Sequence, residues 1–247
     1  MRESRTENGV MGCSMGSAKG ITGIIAIVIT VHHLNNSRSH RIVWLLEELG
    51  VSYEIKRYQR DPKTSLAPPE LLRVHPLGKS PVITDGDLTV AESGAIIEYL
   101  VDRYGKGALI PPPGTPERLR YTYWLHFAEG TAMPPLVMKL VFNRVEKGPM
   151  PFFARPIARA IARKVKGGFI DPNLERIVAH IESELGRSGW FAGDAFTAAD
   201  IQMSFPVEAA AARVGKPPAM SRFLERIHAR PAYQRAIEKG GELAILA

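Results

Sequence analysis

The sequence predicts an α/β domain followed by an all-helical domain. Three observations lead there. Short β-branched runs alternate with helical apolar stripes up to Tyr104. A Gly/Pro-rich stretch then breaks the pattern at Gly105, Gly107, Pro111, Pro112, Pro113, Gly114 and Pro116, the composition of a domain boundary. Beyond it the strand patterns disappear and apolar residues recur at helical spacing. The predicted organisation is a loose leader over 1–23, an α/β domain over 24–104, a linker over 105–116 and a helical domain over 117–240.

Each element has its own signal. Residues 1–20 are rich in Gly, Ser, Thr and Met, and an apolar run begins at Ile24. That run is too short to span a membrane. No small-residue cleavage pattern follows it, so it reads as a strand over 27–31 and not as a signal peptide. Asn35, Asn36, Ser37, Arg38 and Ser39 form a run of turn and helix-cap residues. Ile42, Leu45, Leu46 and Leu49 then recur at helical spacing until Gly50 stops the helix. Tyr53, Ile55 and Arg57 alternate with Glu54, Lys56 and Tyr58, a second strand. A β-α-β order implies parallel strands with a right-handed crossover. Val82-Ile83 and Leu88 to Val90 flank Asp85-Gly86-Asp87, a hairpin signal. After Glu92-Ser93-Gly94, the stripe Ile96, Ile97, Leu100, Tyr104 marks a helix.

In the second half, 117–145 reads as one long helix with a kink at Pro134-Pro135. Helices over 152–165 and 174–185 are divided near Gly167-Gly168. Thr197 and Asp200 form a capping-box pattern, with Phe196 and Ile201 at the staple positions; both polar residues read as structural. Phe223, Leu224 and Ile227 mark a last helix before Pro231.

Composition narrows the function. Apolar residues are 45% and charged residues 23%, which excludes wholesale disorder. The single cysteine, Cys13, rules out an intrachain disulfide framework and a Cys-rich zinc site, and suits a reducing compartment. Lys plus Arg is 32 against 25 Asp plus Glu, a net charge of +7. The basic residues are spread along the chain without interleaved aromatics, so the charge points to small anionic substrates and not to nucleic acid.

Four separated features fall in a telling order: Ser37 with Arg41 after the first strand, His75-Pro76-Leu77-Gly78-Lys79-Ser80-Pro81, Glu92-Ser93, and Phe196-Thr197-Ala198-Ala199-Asp200. Together they resemble the cytosolic glutathione S-transferase family over about 27–240, with serine-type bacterial and fungal members the nearest in pattern. The resemblance implies a thioredoxin-like first domain that binds glutathione and a helical second domain that supplies much of the electrophile site. It implies glutathione as co-substrate with no metal, a soft electrophile as second substrate, a homodimer, and a cytoplasmic protein without nucleic-acid or membrane partners. Glutathione-dependent peroxide reduction needs the same activated thiolate. A protein of this fold without the chemistry, serving as a binding or regulatory module, is the alternative.

The resemblance also assigns residues. Ser80-Pro81 is cis in the family, which turns the Ser80 N–H and C=O outward to pair with the cysteinyl part of glutathione like an added strand. Ser93, at a helix start, suits the γ-glutamyl carboxylate; Glu92 suits its ammonium, and Lys79 the glycyl carboxylate. His75 reads as a residue with a structural hydrogen bond. Ser37 is the donor expected to hold the thiolate, with Asn36 as its rival and Ser39 as a plain N-cap. Arg38 and Arg41 would add positive charge there. No His-Asp relay is expected, and the loop from Leu34 to Arg41 has no cysteine for a thiol-transferase mechanism. Tyr123 and Phe127 are candidates to line the electrophile pocket.

Overall fold

The computed structural model describes residues 28–241. The predicted leader, with Cys13, lies outside them. β1 (Ile29–Leu34) is followed by α1 (Ser39–Leu49), which ends on Gly50 at φ 64, a left-handed value that glycine adopts without a Cβ penalty. β2 (Tyr53–Tyr58) pairs parallel to β1, with Ile29 opposite Tyr53 and His33 opposite Arg57. β3 (Val82–Asp85) pairs antiparallel to β1, and β4 (Leu88–Ala91) to β3, giving the order β2-β1-β3-β4. α2 (Ser93–Tyr104) follows directly.

β1 runs three residues past its predicted end. The sequence pattern stops at Val31 because His32 and His33 are polar, but both rings are buried and satisfied. His32 Nδ1 lies 2.9 Å from the Tyr58 hydroxyl, and His33 Nδ1 lies 2.9 Å from Ser39 Oγ. Ile29 and Val31 join the main core with α1 and α2. Leu34, on the other face, packs with Tyr58 and with Leu71 from a short 3₁₀ turn, Pro69–Arg73.

The helical half contains α3 (Pro116–Phe127), α4 (Met133–Lys147), α5 (Arg155–Val165), α6 (Asp171–Ser188), α7 (Ala198–Arg213), α8 (Pro218–His228) and α9 (Pro231–Gly240). The predicted kink at Pro134-Pro135 falls slightly upstream, as a π turn over Ala128–Ala132. Both prolines directly follow that turn, at the second and third residues of α4, and their missing N–H groups leave carbonyls of the turn without the usual intrahelical donor. A second π turn, Lys166–Ile170, contains Gly167 and Gly168 and joins α5 to α6.

α8 is not the last helix. Pro231, read as a terminator, is the first residue of α9, a position that suits its fixed φ and absent N–H. α9 lies along α1. Tyr233 stands edge-on to Trp44 with centroids 5.1 Å apart. Arg230 forks onto Glu48 at 2.5 and 2.9 Å, and Arg235 and Lys239 hold Glu47 at 2.7 and 2.5 Å. Burial works against the Glu47 charge, yet Lys239, Tyr53 and Arg235 bring its carboxyl down to about 2. One apolar core runs from β1 and α1 through Trp124 and Met203 to Tyr233. No described helix is long and apolar enough to cross a membrane.

Candidate active site

Lys79, Ser80, Pro81, Glu92 and Ser93 line one cleft, together with Arg38 and His75. They meet because β3 and β4 pair antiparallel with Val82 opposite Ala91, so the hairpin returns the chain to the end of the sheet where the Ser80–Pro81 loop enters it and α2 begins. The Ser80–Pro81 bond is cis. His75 Nδ1 accepts a long 3.4 Å hydrogen bond from the Leu77 N–H.

At the start of α2, Glu92 is exposed and holds φ 72, an uncommon conformation for a residue with a Cβ. No side chain caps this helix. Its first-turn N–H groups and the positive end of its dipole are left for an anion. Ser93 is buried, and its Oγ accepts a 3.0 Å bond from Arg41 Nη2.

Arg41 departs from expectation. Its guanidinium does not face the Ser37 loop; it is 1% exposed and reaches beneath α2 to Ser93, to the Gln202 carbonyl on α7 and to Glu129 at 2.6 Å. Arg38 pairs with the same carboxylate. A buried guanidinium requires a counter-charge. Glu129 supplies it and also offsets the positive charge expected at the thiol. Burial raises the Glu129 pKa, but Arg41 and Arg38 outweigh it and hold the carboxyl below its usual value. Glu129 sits in the π turn after α3, and nothing in its local sequence sets it apart from a surface glutamate.

The loop after β1 orders the three candidates for the thiol. Asn36 is exposed at φ 50, with its carbonyl 3.5 Å from Arg60 Nη2. Ser37 is buried, and its Oγ lies 2.7 Å from Ser39 Oγ and 3.4 Å from Ser80 Oγ. Ser39 is not the cap. It is the first residue of α1, and its N–H donates to Ser37 Oγ at 3.2 Å. Its hydroxyl joins Ser37 to His33. A histidine therefore does stand behind the serines, although no aspartate orients it. Burial first, and then Arg57, push the His33 pKa down against a backbone hydrogen bond at Gly240. Burial pushes His40, the next residue in α1, down to about 4, helped by His33, His228 and Arg41.

Tyr123 and Phe127 are not among the cleft residues. They cluster with Trp124 and with His180 of α6, where the Tyr123 hydroxyl lies 3.2 Å from His180 Nε2. Thr197 and Asp200 close a capping box at α7, with the Thr197 N–H donating to Asp200 Oδ2 at 2.8 Å. Among the described residues no group of three or more His, Cys, Asp or Glu is placed to hold a metal ion.

Comparison with known proteins finds relatives over most of the chain. A family model described as glutathione S-transferase, N-terminal domain, matches residues 27–102, and one described as glutathione S-transferase, C-terminal domain, matches residues 171–231. The chain is 40% identical over 183 residues to glutathione S-transferase 3 of Schizosaccharomyces pombe, covering 74% of each chain. It is 32% identical over 227 residues to glutathione S-transferase 1 of Saccharomyces cerevisiae, covering 87% of this chain and 97% of that one. A crystal structure of a glutathione S-transferase from Actinobacillus pleuropneumoniae matches with a TM-score of 0.71 at 38% identity, over 88% of this chain and 95% of that one. A glutathione transferase from Phanerochaete chrysosporium, solved with oxidised glutathione, shares the fold with a TM-score of 0.68 at 20% identity, over 86% and 94% of the two chains.

Proposed function

The chain belongs to the glutathione S-transferase family and is a transferase of that type, and from this premise we propose that Ser37 activates the thiol of glutathione bound in the cleft between Ser80 and Ser93. The observation that supports the reading is the 3.4 Å approach of Ser37 Oγ to Ser80 Oγ. It joins the only buried candidate of the Asn36, Ser37, Ser39 loop that also touches a cleft residue to the side chain of Ser80, whose own backbone pairs with the cysteinyl part of glutathione. The γ-glutamyl carboxylate takes the uncapped start of α2 at Ser93, Glu92 receives the ammonium, and Lys79 meets the glycyl carboxylate, with Arg38 and His75 on the same wall.

A free thiol has a pKa of about 8.5, so only a few per cent is nucleophilic thiolate at neutral pH. Lowering it by about two units requires roughly 2.7 kcal/mol of differential stabilisation. A hydrogen bond to a charged acceptor contributes about 1.5–3 kcal/mol, and the N-terminal end of α1 adds about 0.3–1 kcal/mol. Ser37 acts as a donor to the thiolate, which then adds to a soft electrophile. The enzyme works in the cytoplasm as a homodimer. Exposed Val137, Val141 and Val145 on α4, with exposed Leu72 and Leu77 beside the cleft, support pairing of one copy's helical half with the other's sheet half.

The test is titration of bound glutathione by thiolate absorbance. Ser37→Ala is expected to raise the thiol pKa by about one to two units, which is about 1.4–2.7 kcal/mol, while Asn36→Ala leaves it in place. A rise in Asn36→Ala alone transfers the role to Asn36.

A further inference from the structure

Three hydroxyls and one imidazole stand in line behind the cleft. Ser80 Oγ donates to the His32 carbonyl at 2.9 Å, which spends its proton and leaves it an acceptor towards the loop. Ser37 Oγ lies 2.7 Å from Ser39 Oγ, and Ser39 Oγ lies 2.9 Å from His33 Nδ1. Ser37, Ser39 and His33 are all buried, Ser39 completely. The Nε2 edge of the His33 ring lies beside Gly240, and a backbone hydrogen bond at Gly240 opposes the lowering of the His33 pKa. The tautomer with its proton on Nε2 leaves the Nδ1 lone pair for Ser39.

We propose that His33 takes up the thiol proton of glutathione through Ser39 and Ser37, so that the thiolate forms as one half of a buried ion pair. The inference rests on the reading of Ser37 as the thiol's partner. In the resting chain the Ser37 hydroxyl donates to Ser39, and the Ser39 hydroxyl donates to His33 Nδ1. When the thiol arrives, its S–H bond breaks and its proton passes to Ser37 Oγ. The former Ser37 proton passes to Ser39 Oγ, and the former Ser39 proton forms an N–H bond at His33 Nδ1. Every hydroxyl keeps one proton, and each hydrogen bond reverses direction. The end state is a thiolate accepting from Ser37, Ser37 accepting from Ser39, and Ser39 accepting from an imidazolium. The electron pair of the broken bond stays on sulfur.

The surroundings suit an acceptor that is empty until it is needed. His33 faces Arg57 on β2, His40 and Ser39 on α1 and the Gly240 backbone on α9. Burial first, and then Arg57, disfavour an imidazolium while no substrate is bound. The thiolate brings the missing negative charge. This is the logic of a cysteine–histidine ion pair with two hydroxyls inserted. His33 does not touch the substrate and acts only through the serines, which makes it a positioning residue with a proton-holding role.

The experiment counts protons. Glutathione is added to the wild-type protein at neutral pH in a weakly buffered indicator solution. Thiolate is measured by its absorbance and released protons by the indicator. A relay ending on His33 gives thiolate with far less than one proton released for each thiolate formed. His33→Asn keeps a hydrogen-bonding atom near the Nδ1 position but accepts no proton. It is expected to restore release of a full proton and to lower the thiolate fraction about tenfold, one pKa unit. Ser39→Ala, which breaks the chain at its centre, is expected to do the same and serves if the His33 variant does not fold. One full proton released per thiolate in the wild type overturns the relay, as does a stoichiometry unchanged in both variants. If Ser37→Ala leaves the thiol titration unmoved, the Ser37 reading falls and takes the relay with it. If Ser37→Ala raises the thiol pKa while the wild type releases a full proton, the relay alone falls.

Discussion

Helices α2 and α7 both begin with a hydroxyl residue and an acid, and the order of the two decides what each helix start does. In α7 the hydroxyl comes first and the acid three residues later. Asp200 turns back and collects donors from Thr197 N–H at 2.8 Å, Thr197 Oγ1 at 3.0 Å and Phe191 N–H at 2.8 Å. The site is closed, wholly buried and internally satisfied. In α2 the acid comes first. Glu92 at φ 72 points to solvent, Ser93 follows it, and no side chain caps the helix. Arg41 orders Ser93 from below and leaves the cleft side open. One helix start is a fastener and the other a socket, built from the same residue types.

The largest test of this contrast is on the closed side. Asp200→Ala leaves the buried N–H groups of Phe191 and Thr197 without partners. At about 1–3 kcal/mol each, the expected loss of stability is about 3–5 kcal/mol, large for a single change. Urea unfolding measures it, and glutathione affinity of the folded fraction is expected to hold within about twofold. A loss below about 1 kcal/mol would show that α7 needs no such fastener.

On the open side the effects exchange places. Glu92→Ala and Ser93→Ala each remove one pairing group for the γ-glutamyl end, at about 1.5–3 kcal/mol, so affinity falls roughly ten- to a hundred-fold. Glu92→Ala changes stability by less than about 1 kcal/mol, because its side chain is exposed and caps nothing, whereas Ser93→Ala also takes an acceptor from the buried Arg41 and costs about 1–3 kcal/mol. Calorimetric titration that finds unchanged affinity in both variants removes the γ-glutamyl end from this socket.

Acid separates the regions in a third way. Burial pushes the Asp200 carboxyl up to about 6 despite its hydrogen bonds, while His40, in the helix behind the cleft, is pushed down to about 4. The signs are opposite. As pH falls from 6.5 towards 4 the unfolded chain takes up the His40 proton before the folded one does, and stability is lost. Asp200 does the reverse, since the folded chain takes its proton first. Acid unfolding is therefore expected to be driven from the α1 side. Between about pH 7 and about pH 5 the His40 contribution is about 2 kcal/mol. His40→Gln is expected to shrink the loss of stability over that interval by this amount. An unchanged loss by urea unfolding would place the acid sensitivity elsewhere.

The strands β2, β3 and β4, the stripe of α2 and the capping box of α7 were legible in the sequence because each is fixed by neighbours a few residues away. Period-two alternation, a hairpin signal and a hydroxyl–acid spacing are local properties. The cleft residues Lys79, Ser80, Pro81, Glu92 and Ser93 came instead from the family resemblance, carried by motifs at the ends of those elements, and they line one cleft. The extension of β1 through His32 and His33 was not legible, since a polar ring in a strand is tolerable only if another element satisfies it. α9 was missed because a proline can end one helix or begin the next, and contact with α1 selects the second.

By itself the sequence determined the two-part architecture, the family and the group of residues around the cleft, because hydrophobic period and short motifs survive without knowledge of the partner. Only the tertiary structure decided where the long side chains go. It sent Arg41 under α2 to Ser93 and Glu129, 88 residues further along the chain. It set Ser39 between Ser37 and His33, and it brought the end of α9 against that histidine. These choices follow from burial. A charge or ring removed from water takes whatever partner the fold brings within about 3 Å, and that partner is set by packing between elements and by nothing in the local sequence.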